Sequence, residues 1–281
     1  METFRIQYPS SLLAPYIKHF WILEADCATH ASERIIPYGN IQMLFYRGDP
    51  VILSSLERME QIQDCALLCG QSVGYSDIWL LGRISIIAVV FRVYGASAFF
   101  RMPMFELGER KVVFADTENR ALVDLQDRVL EASDDASAIR LIEQFLLRCL
   151  HPLKDYNLQR MQVAIGEIDR MKGETSLADL CEVACLSPKQ FRRVFTEHIG
   201  INPKDFLRIV RFQHALFILQ SSPGILFSQL AYECGYSDQS HLINEFKIFS
   251  GYTPKGYLAL CPPYSLSLIH ISEPTRLALI S

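Results

Sequence analysis

Lys189, Gln190, Arg192, Arg193 and Thr196 crowd into a short stretch, Ser187 to Ile199, that reads "SPKQFRRVFTEHI". Residues of these types suit the reading of nucleic-acid base edges. An arginine guanidinium can chelate the O6 and N7 acceptors of guanine with two parallel hydrogen bonds, and lysine or glutamine can meet purine acceptors. The alternative is contact with phosphate alone, which positions a protein but carries no sequence information. About fifty residues on, Gln239, Ser240, His241 and Asn244 form a second, less basic set. Gln239 and Asn244 carry the donor and acceptor that match adenine, whereas Ser240 and His241 suit phosphate. Asp238, at the head of that set, suits a helix cap better than a base reader.

Such side chains need a rigid element narrow enough to enter a groove. Ser187 is a favoured N-cap, Pro188 fits the first helical position, and Gln190 completes a capping box. Phe191, Val194, Phe195, His198 and Ile199 recur at helical spacing as one apolar stripe, which leaves the basic residues on the opposite face. Gly200 and Pro203 end the helix. Upstream, "SLADLCEVACL" predicts a short helix with Leu177, Leu180, Cys181 and Ala184 inward, so that the pair forms a helix-turn-helix.

The arrangement is duplicated. A shift of about fifty residues lays "LADLCEVACLS" on "FSQLAYECGYS", and after one inserted residue Phe191 meets Leu242, Phe195 meets Phe246 and Gly200 meets Gly251. On this register Cys181 and Cys185 face Ala231 and Gly235, which reads them as small packing residues. Between the copies, "PKDFLRIVRFQHALFILQ" predicts one long connecting helix, ended by "SSPG". Arg208, Arg211 and Lys204 on or beside it are candidates for the DNA backbone. Arg211 has the alternative of pinning the two units together, and His214 reads as an interface histidine.

With these motifs in view, residues 160 to 260 resemble the double helix-turn-helix domain of the AraC/XylS family of bacterial transcription regulators. The segments that carry the resemblance are "SPKQFRRVF", "GINPKDFL", "IVRFQHALFIL" and "LAYECGYSDQSHLINEFKIFSGYTPKGYL". Before them, "RISIIAVVFRVYGASAFFRMPMFELGERKVVFADT" resembles the end of a sensor domain found in one branch of the family. The resemblance implies double-stranded promoter DNA as partner, a small-molecule effector, a homodimer, RNA polymerase as a candidate contact, and a cupin-like sensor. The chain departs from the family at Asn244, where arginine is frequent, which points to a weaker or adenine-directed second contact.

The rest of the chain divides by period and composition. Of its 281 residues, 50% are hydrophobic, enough for two cores. Residues 1–118 are β-rich, with strand-like runs at Ile41 to Tyr46 and Ile84 to Val93, two strands expected in "DIWLLGRISIIAVVFRVYG", and a short one in "ERKVVFADT". A small barrel or sandwich is the natural reading. Residues 119–152 hold two amphipathic stretches, through Leu122, Leu125, Val129 and Leu130 and through Ile139, Ile142, Phe145, Leu146 and Cys149. These either pack on the β-domain or pair with a second subunit. "HPLKDYN" reads as a linker, and residues 153–261 form the all-α domain. The fold class expected is therefore α+β. The segment 266–281, "LSLIHISEPTRLALIS", resembles the translation of a sequencing-library adapter and is treated as a non-native tail.

Charge supports the assignment locally rather than globally. The net charge is −4, yet residues 187–211 hold six basic residues against two acidic, and the local field is what draws phosphate. The absence of a basic, apolar leader and of any run of about 18 apolar residues points to a cytoplasmic protein with no membrane partner. Eight cysteines raise metal and nucleophile chemistry. Cys65/Cys69 and Cys181/Cys185 lack the second pair of ligands a zinc site needs. A repair enzyme carrying this DNA-binding module would need a thiol activated by basic neighbours, and Cys27, Cys65 and Cys69, the N-terminal cysteines apart from Cys149, have none. His19 and His30, the only histidines before His151, are too few for a metal-dependent cupin enzyme. No catalytic residue, metal ligand or cofactor is assigned, and effector-binding residues are unassigned. A purely architectural DNA-binding protein is the remaining alternative.

Overall fold

Continuous apolar runs rich in β-branched and aromatic residues draw the N-terminal half into one antiparallel sheet. The structure, a computed structural model, describes residues 3–54, 59–62, 65–108, 110–151, 156–222 and 224–260. The strands are β1 (Thr3–Gln7), β2 (Ile17–Ile35), β3 (Gln42–Gly48), β4 (Val51–Ser54), β5 (Met59–Ile62), β6 (Cys65–Cys69), β7 (Ser76–Phe91) and β8 (Lys111–Val113). They pair in the order β1-β2-β7-β3-β6-β8, with β4 branching onto β7 and β5 onto β4. Both faces are buried. Trp21, Leu44, Tyr46, Ile84, Ile86 and Ala88 point to one side, and Phe20, Phe45, Ile87, Val89 and Phe91 to the other. The first side also gathers Phe4 and Ile6 from one edge and Val113 from the other, so the sheet is rolled around it. Two covered faces explain why the strands read as continuous apolar runs.

"DIWLLGRISIIAVVFRVYG" is one strand, not two. β7 runs for 16 residues, and Gly82 bends it at φ +79, a conformation that glycine adopts without steric cost. The long partner β2 shifts register in the same region, between Cys27 and Ala31, so the ladder continues past the bend. Residues 3–20 supply β1, a turn and the start of β2.

Helices α1 (Arg120–Leu130) and α2 (Asp135–Cys149) begin on the caps Asn119 and Asp134, whose side chains accept from the amides of Ala121 and Ser137. Leu122, Leu125, Val129, Ile139, Ile142, Phe145 and Leu146 are buried against Phe20, Phe45 and Phe91 of the sheet. Of the two fates open to these stripes, packing within the chain is the one observed. Their apolar faces are therefore not available to a second subunit.

The linker reading at 152–155 and the tail 266–281 fall outside the described residues. From Tyr156 the chain is helical: α3 (Tyr156–Arg170), α4 (Leu177–Val183), α5 (Pro188–Ile199), α6 (Pro203–Ser221), α7 (Phe227–Glu233), α8 (Gln239–Ser250) and α9 (Pro254–Leu260). The 19 residues of α6 span about 28 Å at 1.5 Å per residue. This connector serves both copies. Its Phe206 ring meets Phe195 of α5 at 5.6 Å, and Phe212 meets Phe246 of α8 at 5.1 Å. The helical core also receives Ile36 from the N-terminal half, and Gln213 Nε2 donates to the Pro37 carbonyl. The two halves thus share a packed boundary.

Candidate nucleic-acid interface

The two helix-turn-helix units are built alike from the backbone outward. Ser176 caps α4 and Ser187 caps α5, each in a reciprocal capping box, with Asp179 and Gln190 as the returning side chains. In the second unit Asp238 caps α8 by accepting from the His241 amide at 2.8 Å. That bond to the backbone, with help from Ser240 and Ser237, holds the Asp238 carboxyl below the usual carboxylate range.

The turns inside the two units also match. The Leu186 amide donates to the Cys181 carbonyl and the Tyr236 amide to the Ala231 carbonyl, both at 2.9 Å, which is the wide closing bond of a Schellman turn. The residue inside each loop is left-handed, Cys185 at φ +51 and Gly235 at φ +65. The packing assignment of Cys185 is therefore corrected: its side chain is exposed, and the position is a turn. Cys181, one helical turn earlier, is buried as expected, and burial raises its thiol pKa.

α5 and α8 are both 12 residues long. Phe191, Val194, Phe195, His198 and Ile199 are buried on α5, and Leu242, Glu245, Phe246 and Phe249 on α8. The opposite faces lie open. Lys189, Gln190, Arg192 and Arg193 are exposed and Thr196 half-buried, as are, in the second copy, exposed Gln239, Ser240 and Asn244 and half-buried His241. Lys189, Arg192 and Arg193 make no ion pair or hydrogen bond to any described residue. Exposed positive charges of this kind are what phosphate and guanine edges attract.

Other candidates are constrained. Gln190 Oε1 is occupied by the Ser187 amide at 3.2 Å and hydroxyl at 2.9 Å, so bidentate reading of adenine would require opening its capping box. His241 Nδ1 lies 3.1 Å from Ser237 Oγ, and its ring stands edge-on to Tyr236. Arg208 faces inward: Nε and Nη2 fork onto Glu245 at 2.9–3.2 Å, Nη1 reaches Asp205 at 3.0 Å, and the guanidinium lies 5.2 Å from the Phe249 ring. Of the two readings of Arg211, the geometry favours the pin: the guanidinium lies 5.7 Å from the Tyr236 ring and its Nε is buried. Lys204 is exposed at the head of α6, and His214 is half-buried with its pKa lowered by burial.

Arg34 and Gln71, both in the β-domain, reach the ends of α8 and α5. The sequence held no signal for them, because the pairs are 216 and 128 residues apart. Among the described residues no group of three or more His, Cys, Asp or Glu could hold a metal, and no helix is long and apolar enough to cross a membrane.

Residues 180–259, from the end of α4 through α9, match a family model described as a helix-turn-helix domain. The C-terminal helical domain is an AraC-type helix-turn-helix domain. Residues 6–113 match a second model, described as a domain of unknown function (DUF6597). An uncharacterized HTH-type transcriptional regulator of Haemophilus influenzae is 31% identical over 157 residues, covering 55% of this chain and 51% of that protein. The HTH-type transcriptional regulator GlxA of Rhizobium meliloti is 36% identical over 104 residues, 37% of this chain and 30% of its own. The activator RhaR of Escherichia coli is 32% identical over 84 residues, 30% of this chain and 29% of its own. The chain thus spans about half the length of the first of these relatives and under a third of the others. Among solved structures, ToxT from Vibrio cholerae with an unsaturated fatty acid bound aligns at TM-score 0.49 and 10% identity, over 93% of this chain and 97% of that one.

Proposed function

We propose that the chain is a sequence-specific regulator of transcription whose C-terminal domain reads double-stranded promoter DNA and whose β-domain responds to a small-molecule effector. One observation carries the reading. Two matched 12-residue helices, joined by one connector, are buried on one face and present bare polar first turns on the other. On a continuous duplex such a pair can enter successive major grooves about 34 Å apart. Lys189, Arg192 and Arg193 are assigned to base edges or adjacent phosphates in the first groove, with Gln190 and Thr196 beside them. Gln239 and Asn244 read the second, where Ser240 and His241 hold phosphate. Arg208 and Arg211 act through the fold, as supports for α8 and for the turn before it. Homodimerisation, a contact with RNA polymerase and a cytoplasmic location belong to the same proposal.

The enzyme alternative asks for an activated thiol, and the β-domain offers the reverse. Burial pushes the Cys69 thiol up to about 12 and raises that of Cys149. The test is selection of bound DNA from a random pool by the full chain. A defined site with two separated half-contacts supports the reading; uniform binding of all sequences at physiological salt refutes it.

A further inference from the structure

The two reading helices end in the same way, and both ends are held by the other domain. Each stops on a left-handed glycine, Gly200 at φ 98 and Gly251 at φ 73. A Cβ at Gly251 would lie 2.4 Å from Arg34 Nη1, and one at Gly200 would lie 3.1 Å from the Met104 carbonyl oxygen. Beside these glycines the last helical carbonyls, which have no partner within their own helices, are capped from the β-domain. Arg34 Nη1 donates to the Ser250 carbonyl of α8 at 3.0 Å, and Gln71 Nε2 donates to the Ile199 carbonyl of α5 at 2.8 Å. A guanidinium at a helix C-terminus also meets the negative end of the macrodipole.

Arg34 has little freedom. Its Nε and Nη2 fork onto Asp77 at 2.7 and 2.9 Å, and its guanidinium lies 4.2 Å from the rings of both Tyr75 and Tyr252. Arg34 and Asp77 stand opposite each other in the β2–β7 ladder. Gln71 is only 2% exposed and lies two residues past the end of β6. The ends of both helices are therefore tied to neighbouring parts of one sheet.

We propose that Arg34 and Gln71 are positioning residues for DNA reading: the β-domain brackets the C-terminal ends of α5 and α8 and sets the base-pair spacing between the two half-contacts. The proposal rests on the DNA-reading function given above. The bracket grips the ends opposite to the bare first turns, so it orients the helices without covering the surface that meets DNA. The connector α6 joins the two units and holds the middle of α8 directly, through Phe212 on Phe246 and Arg208 on Glu245, but it does not reach the C-terminal carbonyls of α5 and α8 that the β-domain caps. A second point of hold is what would make the separation rigid. Because β2 and β7 also enclose the interior of the sheet, a change in its curvature would be passed to both helices together.

The experiment uses the full chain and the DNA that the wild type selects from a random pool. One base pair is inserted or removed between the half-contacts, and a fragment carrying the α5 half-contact alone serves as reference. The wild type should lose at least about tenfold in affinity on a one-base-pair change, which displaces the second contact by about 3.4 Å along the helix axis and rotates it around the duplex. Arg34→Ala combined with Gln71→Ala should reduce that penalty by at least about fivefold, the low end of ordinary coupling between sites. Its affinity for the reference fragment should be unchanged. Arg34→Lys keeps the charge but cannot span Asp77 and Ser250 together, and carries the same test should the double variant fail to fold by circular dichroism. A variant that keeps the wild-type penalty overturns the bracket alone and leaves spacing to α6; a wild type indifferent to spacing overturns the bracket because no fixed separation exists for it to set. A wild type that selects no sequence overturns the DNA-reading function, and the bracket with it.

Discussion

Replacing Arg208 by methionine takes the guanidinium away from Glu245, whose side chain is 7% exposed, while keeping much of the apolar stem against Phe249. The carboxylate would then be left inside the domain without the guanidinium that forks onto it. Breaking a fully buried ion pair from one side costs about 3–5 kcal/mol, because the remaining charge stays desolvated. Arg208 itself is 24% exposed, so water can enter the vacated space, and about 2–3 kcal/mol is the expected loss. With a urea slope of about 2 kcal/mol/M, the unfolding midpoint should fall by about 1 M. Arg208→Met joined with Glu245→Leu removes both charges and should recover most of the loss. The salt dependence of DNA binding separates this role from a phosphate contact. A guanidinium on phosphate contributes about 0.9 to the slope of log affinity against log salt, so the slope should stay at its wild-type value. A variant of unchanged stability whose slope has fallen by that amount would place Arg208 on the DNA and refute the inward assignment.

Three further outcomes are expected. Arg192→Ala and Arg193→Ala should each cost about 1–3 kcal/mol at one position of the selected site, whereas equal loss on every sequence would mean phosphate contact only. Cys185→Gly should raise stability by about 0.5–1 kcal/mol in thermal or urea unfolding, since glycine removes the strain of a left-handed Cβ and gives back part of it as unfolded-state entropy; destabilisation would mean that the Cys185 side chain packs. His19 lies 4% exposed with neither ring nitrogen hydrogen-bonded to any described residue, and burial first, then the charge of Lys18, lowers its pKa from 6.5 to about 4. The unfolded ring binds a proton near 6.5 and the folded ring resists, so its contribution is fully present above about pH 6.5 and is lost as pH falls toward 4. Stability should drop by up to about 1.4 kcal/mol per pH unit in that window, and His19→Leu should flatten the drop; parallel pH curves would refute it.

The C-terminal elements were legible because their determinants are local. A Ser187 cap bonds three residues ahead to Gln190, apolar residues at spacings of three and four fall on one helical face, and Gly200 and Gly251 stop their helices by their own conformational freedom. Duplication then made one local pattern confirm the other. The β-domain was legible only as composition: a strand looks the same whether it continues or turns back at Gly82, and the pairing order depends on residues far away in the chain.

Side-chain roles that need a distant partner were hidden for the same reason. Arg208 reads as one more basic residue on a helix until α8 brings Glu245, 37 positions on, against it. Cys185 reads as a small buried residue until the turn exposes it. Arg34 and Gln71 carry no motif at all, and only the packing of sheet against helices sets them on the ends of α8 and α5. The amino-acid sequence thus determined which short segments coil and what they can touch, since those energies act within about four residues. Which charges stay unpaired, and what holds the ends of α5 and α8, was decided by tertiary structure, where partners meet through burial rather than through spacing.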